Sequence, residues 1–522
     1  MTHTKNLFQN DAGADSARGG MDRDRSFTIG SRSVPPISLI IGLCLLLSAC
    51  DKASVVPRAT PELSEITPEL SEVTHPGKNH YVTNCAGCHG ADRFGLLGPP
   101  LLSQTLGHHT EQTLKETIWG GISGTRMPEF RLALDEQRLA LIVDYIQQPL
   151  QVEWQESDIR ASLQKWEQQG TSQAICDTDD VTAVVERGSG NVLFIHDQKL
   201  AKQIYFPNVH GGLKFLGEKL YIPSRTGFIL RCDVPSLQPE LSVRAGVYMR
   251  NIEVTDSTVI AACSLPPRLA FFDLDLQLNE ILTLDDEVAA LARLDETRLV
   301  VTFRNAPKLI VLEGSTIVQT VELPAPFKQF AVVGDFVVGT NGTTIYATDF
   351  TNTTKIEDDA IPHMAAGQFW RHEDSILWAT PKINGSGVTV YRFPDGDLQS
   401  PIEKVTTVEA EALTVRGHTN VFARAHPDLD FLVTTSGRDV LIVSKTDFRL
   451  MHKLTPQPDM MPLHTEFSKD GKILFVSVYD ERGGIYMYST DDFSLLRMIS
   501  AVKPAGQYNK FMKSWQGNRR GL

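Results

Sequence analysis

The chain of 522 residues has no excess of basic residues: 50 Lys and Arg stand against 63 Asp and Glu, for a formal net charge of −13. That balance excludes nucleic-acid binding, which needs a clustered basic surface along the phosphate backbone. Cysteine is scarce as well. Of seven cysteines, Cys44 lies in the N-terminal leader, Cys50 ends it, and Cys85 and Cys88 share one motif. No disulfide framework is therefore available to staple a small fold. Cys176, Cys232 and Cys263 are left. One pair has the option of bridging in an oxidising compartment, but all three are expected to be small buried side chains. Long apolar runs are absent too: residues 37–49 (ISLIIGLCLLLSA) make a run of 13, short of the roughly 20 that span a bilayer as a helix. What remains is ordinary globular composition, 42% hydrophobic and 22% charged, with length for at least two cores.

That short run is an address. Arg23, Arg25 and Arg32 precede it and small residues close it, which is the layout of a secretory signal peptide. Its end, Leu47-Ser48-Ala49-Cys50, resembles a bacterial lipobox, in which Cys50 becomes the lipidated first residue. Residues 1–49 are thus read as a lipoprotein signal peptide, with Met21 as an alternative start. Asp51 after the lipid cysteine slightly favours the inner membrane. Removing the leader takes away five Lys/Arg and four Asp/Glu, so the mature charge moves from −13 to −14 and suits a neutral or positive redox partner. Residues 50–77 form a tether: TPELSE occurs at residues 60–65 and again at 67–72, with Pro57 and Pro76 nearby. An acidic, proline-rich stretch without aromatics buries too little surface to fold. The expected location is the periplasm, with a lipid anchor in the membrane.

Residues 78–170 hold the strongest local signal. Cys85-Ala86-Gly87-Cys88-His89 sets two thiols one helical turn apart with an imidazole directly beyond them. The thiols add to two haem vinyl groups while His89 ligates the iron, so one covalent haem c is expected. A zinc site needs a second ligand pair at tight spacing, and His108-His109 is a poor substitute. Gly98-Pro99-Pro100 follows, with the Pro99 carbonyl as natural acceptor for the His89 ring N–H. Met127, between Arg126 and Pro128, is the candidate sixth ligand; Met127 as a core residue is the alternative. Residues 135–147 open with an N-cap aspartate and carry apolar positions at helical spacing, the closing helix of a small all-α cytochrome c domain.

From residue 174 to 510 the texture is all-β. An apolar strand followed by a polar turn recurs at Val192, Phe228, Leu269, Leu309, Ile345, Val388, Val440 and Ile485, at spacings of 36, 41, 40, 36, 43, 52 and 45. About 40–45 residues make one four-stranded propeller blade, so eight copies predict an eight-bladed propeller, with residues 511–522 as a C-terminal tail. A propeller is a scaffold whose chemistry sits at its channel. His210, His363, Arg225, Arg250, Arg416 and His418 stand out as loop residues able to ligate a metal or pair with carboxylates.

A cytochrome c domain ahead of such a propeller resembles the cytochrome cd1 nitrite reductase superfamily, and within it the NirN group of haem d1 biogenesis proteins. The segments Cys85–Leu102 and Arg126–Phe130 look like the NirN cytochrome domain, and Leu265–Leu269, Leu463–Phe467, Ser477–Asp480 and Lys503–Asn509 resemble superfamily motifs. The resemblance implies a second, non-covalent tetrapyrrole, haem d1 or dihydro-haem d1, with His210 as one iron ligand and His363 opposite it. Met364-Ala365-Ala366-Gly367 stands where the family has Asp-Gly-Gly. Arg225, Arg250 and Arg416 then clamp carboxylates, and His418 is the candidate base. The implied activity is dehydrogenation of a dihydro-haem d1 propionate to the acrylate, with electrons leaving through haem c to a periplasmic acceptor. Nitrite reductase is a possible recipient of the product. His418 is out of register with the second distal histidine of nitrite reductases, which weakens a nitrite-reducing role; a non-enzymatic haem d1 carrier is the other alternative. The lipobox and tether are similar to those of the related NirF group.

If Cys50 carries the lipid, Cys50→Ser blocks processing or releases soluble protein. Wild-type protein found wholly in the soluble periplasmic fraction contradicts the anchor.

Overall fold

A computed structural model describes residues 75–107, 109–167, 174–358, 361–382, 386–394, 398–415, 418–419 and 421–510. The leader, the tether up to residue 74, Cys50, Arg416 and residues 511–522 lie outside the described residues.

The first domain is helical. Asp135 accepts the Arg138 N–H (2.8 Å) at the start of Glu136–Gln147, and Thr110 accepts that of Thr113 (3.1 Å) at the start of Glu111–Gly120. Each cap satisfies a donor that the first turn leaves open. Leu139, Ile142, Val143 and Ile146 recur at helical spacing and are buried with Tyr81, Cys85, Leu106, Leu114 and Ile118. This is the closing helix expected from the sequence.

The rest is a propeller of eight sheets. All eight recurrent segments fall on the third strand of a blade: Asn191–His196, Phe228–Asp233, Arg268–Phe272, Lys308–Glu313, Ile345–Thr348, Val388–Phe393, Asp439–Val443 and Gly484–Ser489. These positions read most clearly because a third strand has a buried face on either side of its sheet, whereas fourth strands such as Thr316–Glu322 are mostly exposed. First strands, among them Tyr248–Val254, Ala423–Ala425 and Pro462–Phe467, pack against one another from blade to blade around the centre. The ring closes by joining the two ends of the domain. Pro504–Tyr508 supplies the first strand to the blade formed by Thr182–Glu186, Asn191–His196 and Lys199–Tyr205, pairing Ala183 with Tyr508 and Glu186 with Pro504.

The two domains are lashed together by residues 151–167. Gln164–Lys165 adds a fifth strand to the blade Lys214–Arg244 by pairing with Gln238–Arg244, and Trp166 donates to Ser242 Oγ at 3.0 Å. Two expectations need correction. Cys176 is exposed, and only Cys232 and Cys263 are buried; none of the three is bridged. Arg250 belongs to the first strand Tyr248–Val254 rather than to a loop; that strand is only partly apolar because its N-terminal half faces polar surroundings. Among the described residues no helix is long and apolar enough to cross a membrane.

Phe194 is fully buried where the closing blade packs on Leu220, Ile222 and Leu230 of its neighbour. Phe194→Ala is expected to cost about 3–5 kcal/mol by leaving a cavity, read as a lower urea midpoint for loss of the β signal.

Candidate functional site

In the helical domain, the helix Gly77–Asn84 stops at Cys85, whose N–H still reaches Tyr81 O (2.8 Å), and the short helix Ala86–His89 puts both thiols on consecutive turns. Cys85 is buried and Cys88 exposed. Burial, then the neighbouring Cys88, pushes the Cys85 thiol up to about 11. The His89 ring is buried, and its Nδ1 lies 2.8 Å from Pro99 O. A carbonyl only accepts, so Nδ1 carries the proton and the Nε2 lone pair is left for a metal. Burial lowers the His89 pKa despite the Pro99 bond, which favours the neutral, ligating form. Gly98 makes this fit possible: a Cβ there would sit 2.6–3.0 Å from the imidazole atoms. Met127 packs against the cluster that contains Cys85. Unbridged thiols on one turn, an oriented imidazole and a thioether in the same cluster fit a covalently held haem.

The propeller residues converge from scattered strands. His210 sits in the link between Lys199–Tyr205 and Lys214–Leu216, just after the bridge from Val209 to Ser224. Arg187 approaches it, with Nη2 3.0 Å from His210 Nδ1 and 3.3 Å from His210 O. Arg225 is held by backbone carbonyls, donating to Arg250 O at 2.6 Å and Met249 O at 3.2 Å. Arg250 Nε donates to Ala289 O at 2.9 Å. Burial pushes the Arg225 guanidinium down to about 9, and Arg250, Arg187 and Arg304 add repulsion. Arg304 has Glu287 at 3.5 Å, and Glu287 also attracts Arg250 at longer range; among the described residues no salt bridge joins Arg187, Arg225 or Arg250 to a carboxylate. Like charges brought together in a half-buried place repel one another, so the cluster fits an anionic ligand with several carboxylates.

A second group in the propeller is a chain of aromatic and imidazole rings in contact. The His363 ring lies 5.6 Å from Phe422, and Phe422 lies 3.9 Å from His464, centroid to centroid. His464, on the first strand Pro462–Phe467, is held well below the ordinary histidine range by burial, then by Arg424, Arg187 and His363. Arg424 is itself paired with buried Glu466 at 3.3 Å. Tyr508 accepts the Gly212 N–H at 3.1 Å, and burial raises its hydroxyl pKa.

Of the residues singled out in sequence, His210, Arg225 and Arg250 share the cationic region, and His363, like His464, touches Phe422. The His418 backbone pairs with Val415 in a two-stranded hairpin outside the blades; its side chain and Arg416 lie outside the described residues. Arg187, His464, Phe422 and Tyr508 were missed. His464 and Tyr508 each sit inside a motif already noted as family-like (463–467 and 503–509), and that was the only signal available.

Comparisons with known proteins agree with this architecture. Residues 339–513 match the family described as cytochrome D1 heme domain, and residues 72–146 match cytochrome C oxidase, cbb3-type, subunit III. A dihydro-heme d1 dehydrogenase of Pseudomonas aeruginosa is 28% identical over 479 residues, 83% of this chain and 93% of that one. Cytochrome c55X of Stutzerimonas stutzeri is 39% identical over 63 residues, 12% of this chain and 56% of its own. The solved structure of dihydro-heme d1 dehydrogenase NirN in complex with DHE superposes with a TM-score of 0.74 at 23% identity, covering 84% of this chain and 99% of that one. The fold and these matches define a cytochrome c domain joined to a cytochrome d1 propeller. Within that class the NirN-type reading of the sequence is borne out.

Arg225→Ala is expected to weaken binding of haem d1 by about 1–3 kcal/mol, the usual range for a lost charged hydrogen-bond partner. Absorbance titration reads the loss, with the thermal midpoint recorded alongside to separate it from unfolding.

Proposed function

We propose that this protein oxidises dihydro-haem d1 in the last stage of haem d1 formation, converting a propionate side chain to the acrylate. The observation that carries the reading is the set of arginines beside His210 that backbone carbonyls rather than salt bridges hold, in the same propeller as the contacting rings of His363, Phe422 and His464. Arg187, Arg225 and Arg250, with Arg416 as expected from sequence, bind the substrate carboxylates and fix its register. His210 and His363 would be the residues to ligate the substrate iron.

The chemistry is a loss of two hydrogens from one carbon–carbon bond, that is, two protons and two electrons. His464 suits the first proton, because burial and the surrounding cations keep its imidazole neutral and able to accept. His418 remains the alternative base. Haem c, held through Cys85 and Cys88 with His89 and Met127 on its iron, supplies a one-electron sink when bound. A periplasmic acceptor then takes the electrons onward, and nitrite reductase is the natural recipient of the finished haem. The lipid on Cys50 keeps the whole near the membrane surface.

One observation favours a second reading. His464 and His363, both in contact with Phe422, give this site two neighbouring imidazoles, which is also what nitrite reduction draws on for protons. The neutral state of His464 argues the other way, since a donor to nitrite has to be protonated at working pH. A pure carrier role leaves the paired imidazoles without a task.

Anaerobic mixing with dihydro-haem d1 is expected to reduce haem c and yield the haem d1 spectrum, with little turnover of nitrite. His464→Ala should lower the rate by about 100-fold or more, as for loss of a general base, while substrate binding stays near wild type. Rapid nitrite turnover with dihydro-haem d1 bound but never oxidised refutes the dehydrogenase; binding without either reaction leaves the carrier.

A further inference from the structure

The helical domain touches the propeller through the loop that bears Met127, and that contact is built rather than incidental. Residues 122–127 form a tight turn in which Ile122 N–H bonds to Met127 O (2.9 Å) and Thr125 N–H to Ile122 O (3.1 Å). Its outer edge lies on the propeller. Ser123 Oγ donates to Glu481, and Lys503 Nζ donates to Ser123 O. Arg126 places its guanidinium 4.1 Å from the centroid of the Tyr205 ring. Gly124 has φ +65°, and a Cβ there would lie 2.6 Å from Glu481 Cγ and 3.0 Å from Lys503 Nζ; a Cβ on Gly188 would lie 2.7 Å from Gly124 O. Two glycines thus let the loop and the blade approach at backbone distance.

The propeller side of the contact is itself rigid. Arg187 N–H bonds to Lys503 O (3.2 Å) and Gly188 N–H to Val502 O (3.1 Å), part of the seam that closes the ring. Within the helical domain Thr125 Oγ1 donates to Ile122 O and accepts the Met127 N–H, whereas the contacts of Ser123 and the Arg126 side chain go to the propeller; residues 123–126 are all exposed or half-exposed. A thioether is a weak iron ligand whose occupancy depends on how its loop is held.

We infer that the propeller surface formed by Tyr205, Glu481 and Lys503 is a positioning site for the Met127 loop, and that this docking sets the ligation and reduction potential of haem c. The inference rests on Met127 as sixth ligand. It makes Arg126 and Tyr205 positioning residues: the cation lies over the ring face, an attraction that a lysine retains in part and an aliphatic side chain does not. The Tyr205 hydroxyl is buried without a hydrogen-bond partner among the described residues, so the ring, not the hydroxyl, carries the contact.

The test uses the full chain with its haem c and reads two quantities that need no tetrapyrrole substrate: the haem c potential, and the red-edge absorption band that ferric haem shows only with a thioether ligand. Arg126→Ala with Lys503→Ala, and separately Tyr205→Leu, are expected to lower the potential and weaken the band. Tyr205→Phe leaves both unchanged, and Arg126→Lys recovers part of the loss. Met127→Ala is the reference and abolishes the band. If Met127→Ala leaves band and potential unchanged, Met127 is not the ligand and the inference falls with it. If Met127→Ala abolishes the band while the docking variants keep wild-type values, the loop holds itself and the positioning site is refuted.

Discussion

Closure of the propeller is the constraint on which the rest depends. Neighbouring blades pack pairwise, but a ring of eight twisted sheets keeps two open faces until the last blade meets the first. Here that meeting is a single antiparallel pairing, Pro504–Tyr508 against Thr182–Glu186. It places Lys503 beside Arg187, Tyr508 beside Gly212, and Val502 beside Gly188. The closing seam therefore also organises the neighbourhood of His210 and the floor on which the Met127 loop rests. One set of ladder hydrogen bonds holds the ring, one wall of the tetrapyrrole site and the contact with the haem c domain.

The cost of the site is electrostatic. Arg225, Arg250 and Arg187 repel one another in a partly desolvated place, and backbone carbonyls rather than carboxylates steady them. Neutral acceptors orient a guanidinium without cancelling its charge, so the positive potential stays available to a ligand. A structural role is better served by pairing, as at Arg424 and Glu466. Carbonyl-held arginines also serve structure, as Arg244 does between Thr226, Gly246 and the helical domain. What marks the Arg187–Arg225–Arg250 group is that several such cations lie together, and repulsion there would be relieved when an anion enters.

Legibility in the sequence followed how local each signal is. The Cys85–His89 motif, the Pro99 acceptor and the Asp135 cap act within about a dozen residues of their partners and could be read directly. So could the third strands of the blades, since each is a compact apolar run. The tetrapyrrole site is different. Arg187, His210, His464 and Tyr508 come from opposite ends of the domain and meet only because the ring closes, so no window of sequence holds two of its walls. Arg250 was assigned to a loop because the strand that carries it opens with mixed polarity. Cys176 was expected inside on composition alone, and exposure of one small side chain has no local signature.

The His363–His464 pair bears on which of the proposed reactions the site favours. Two neighbouring imidazoles serve proton delivery when at least one is charged, and proton removal when at least one is neutral. Both rings touch Phe422. Arg424 and Arg187 then bias the pair through space: each cation raises the cost of an imidazolium, and burial adds to it in the same direction. A site meant to donate protons to a small anion gains by placing a carboxylate near that ring, as Asp and Glu do for charged histidines elsewhere. Here the nearby carboxylate, Glu466, is already committed to Arg424. The field around His464 therefore favours accepting a proton, and the cationic group near His210 favours a ligand that arrives with its own negative charges. Both suit the proposed oxidation of a tetrapyrrole side chain better than they suit the reduction of nitrite.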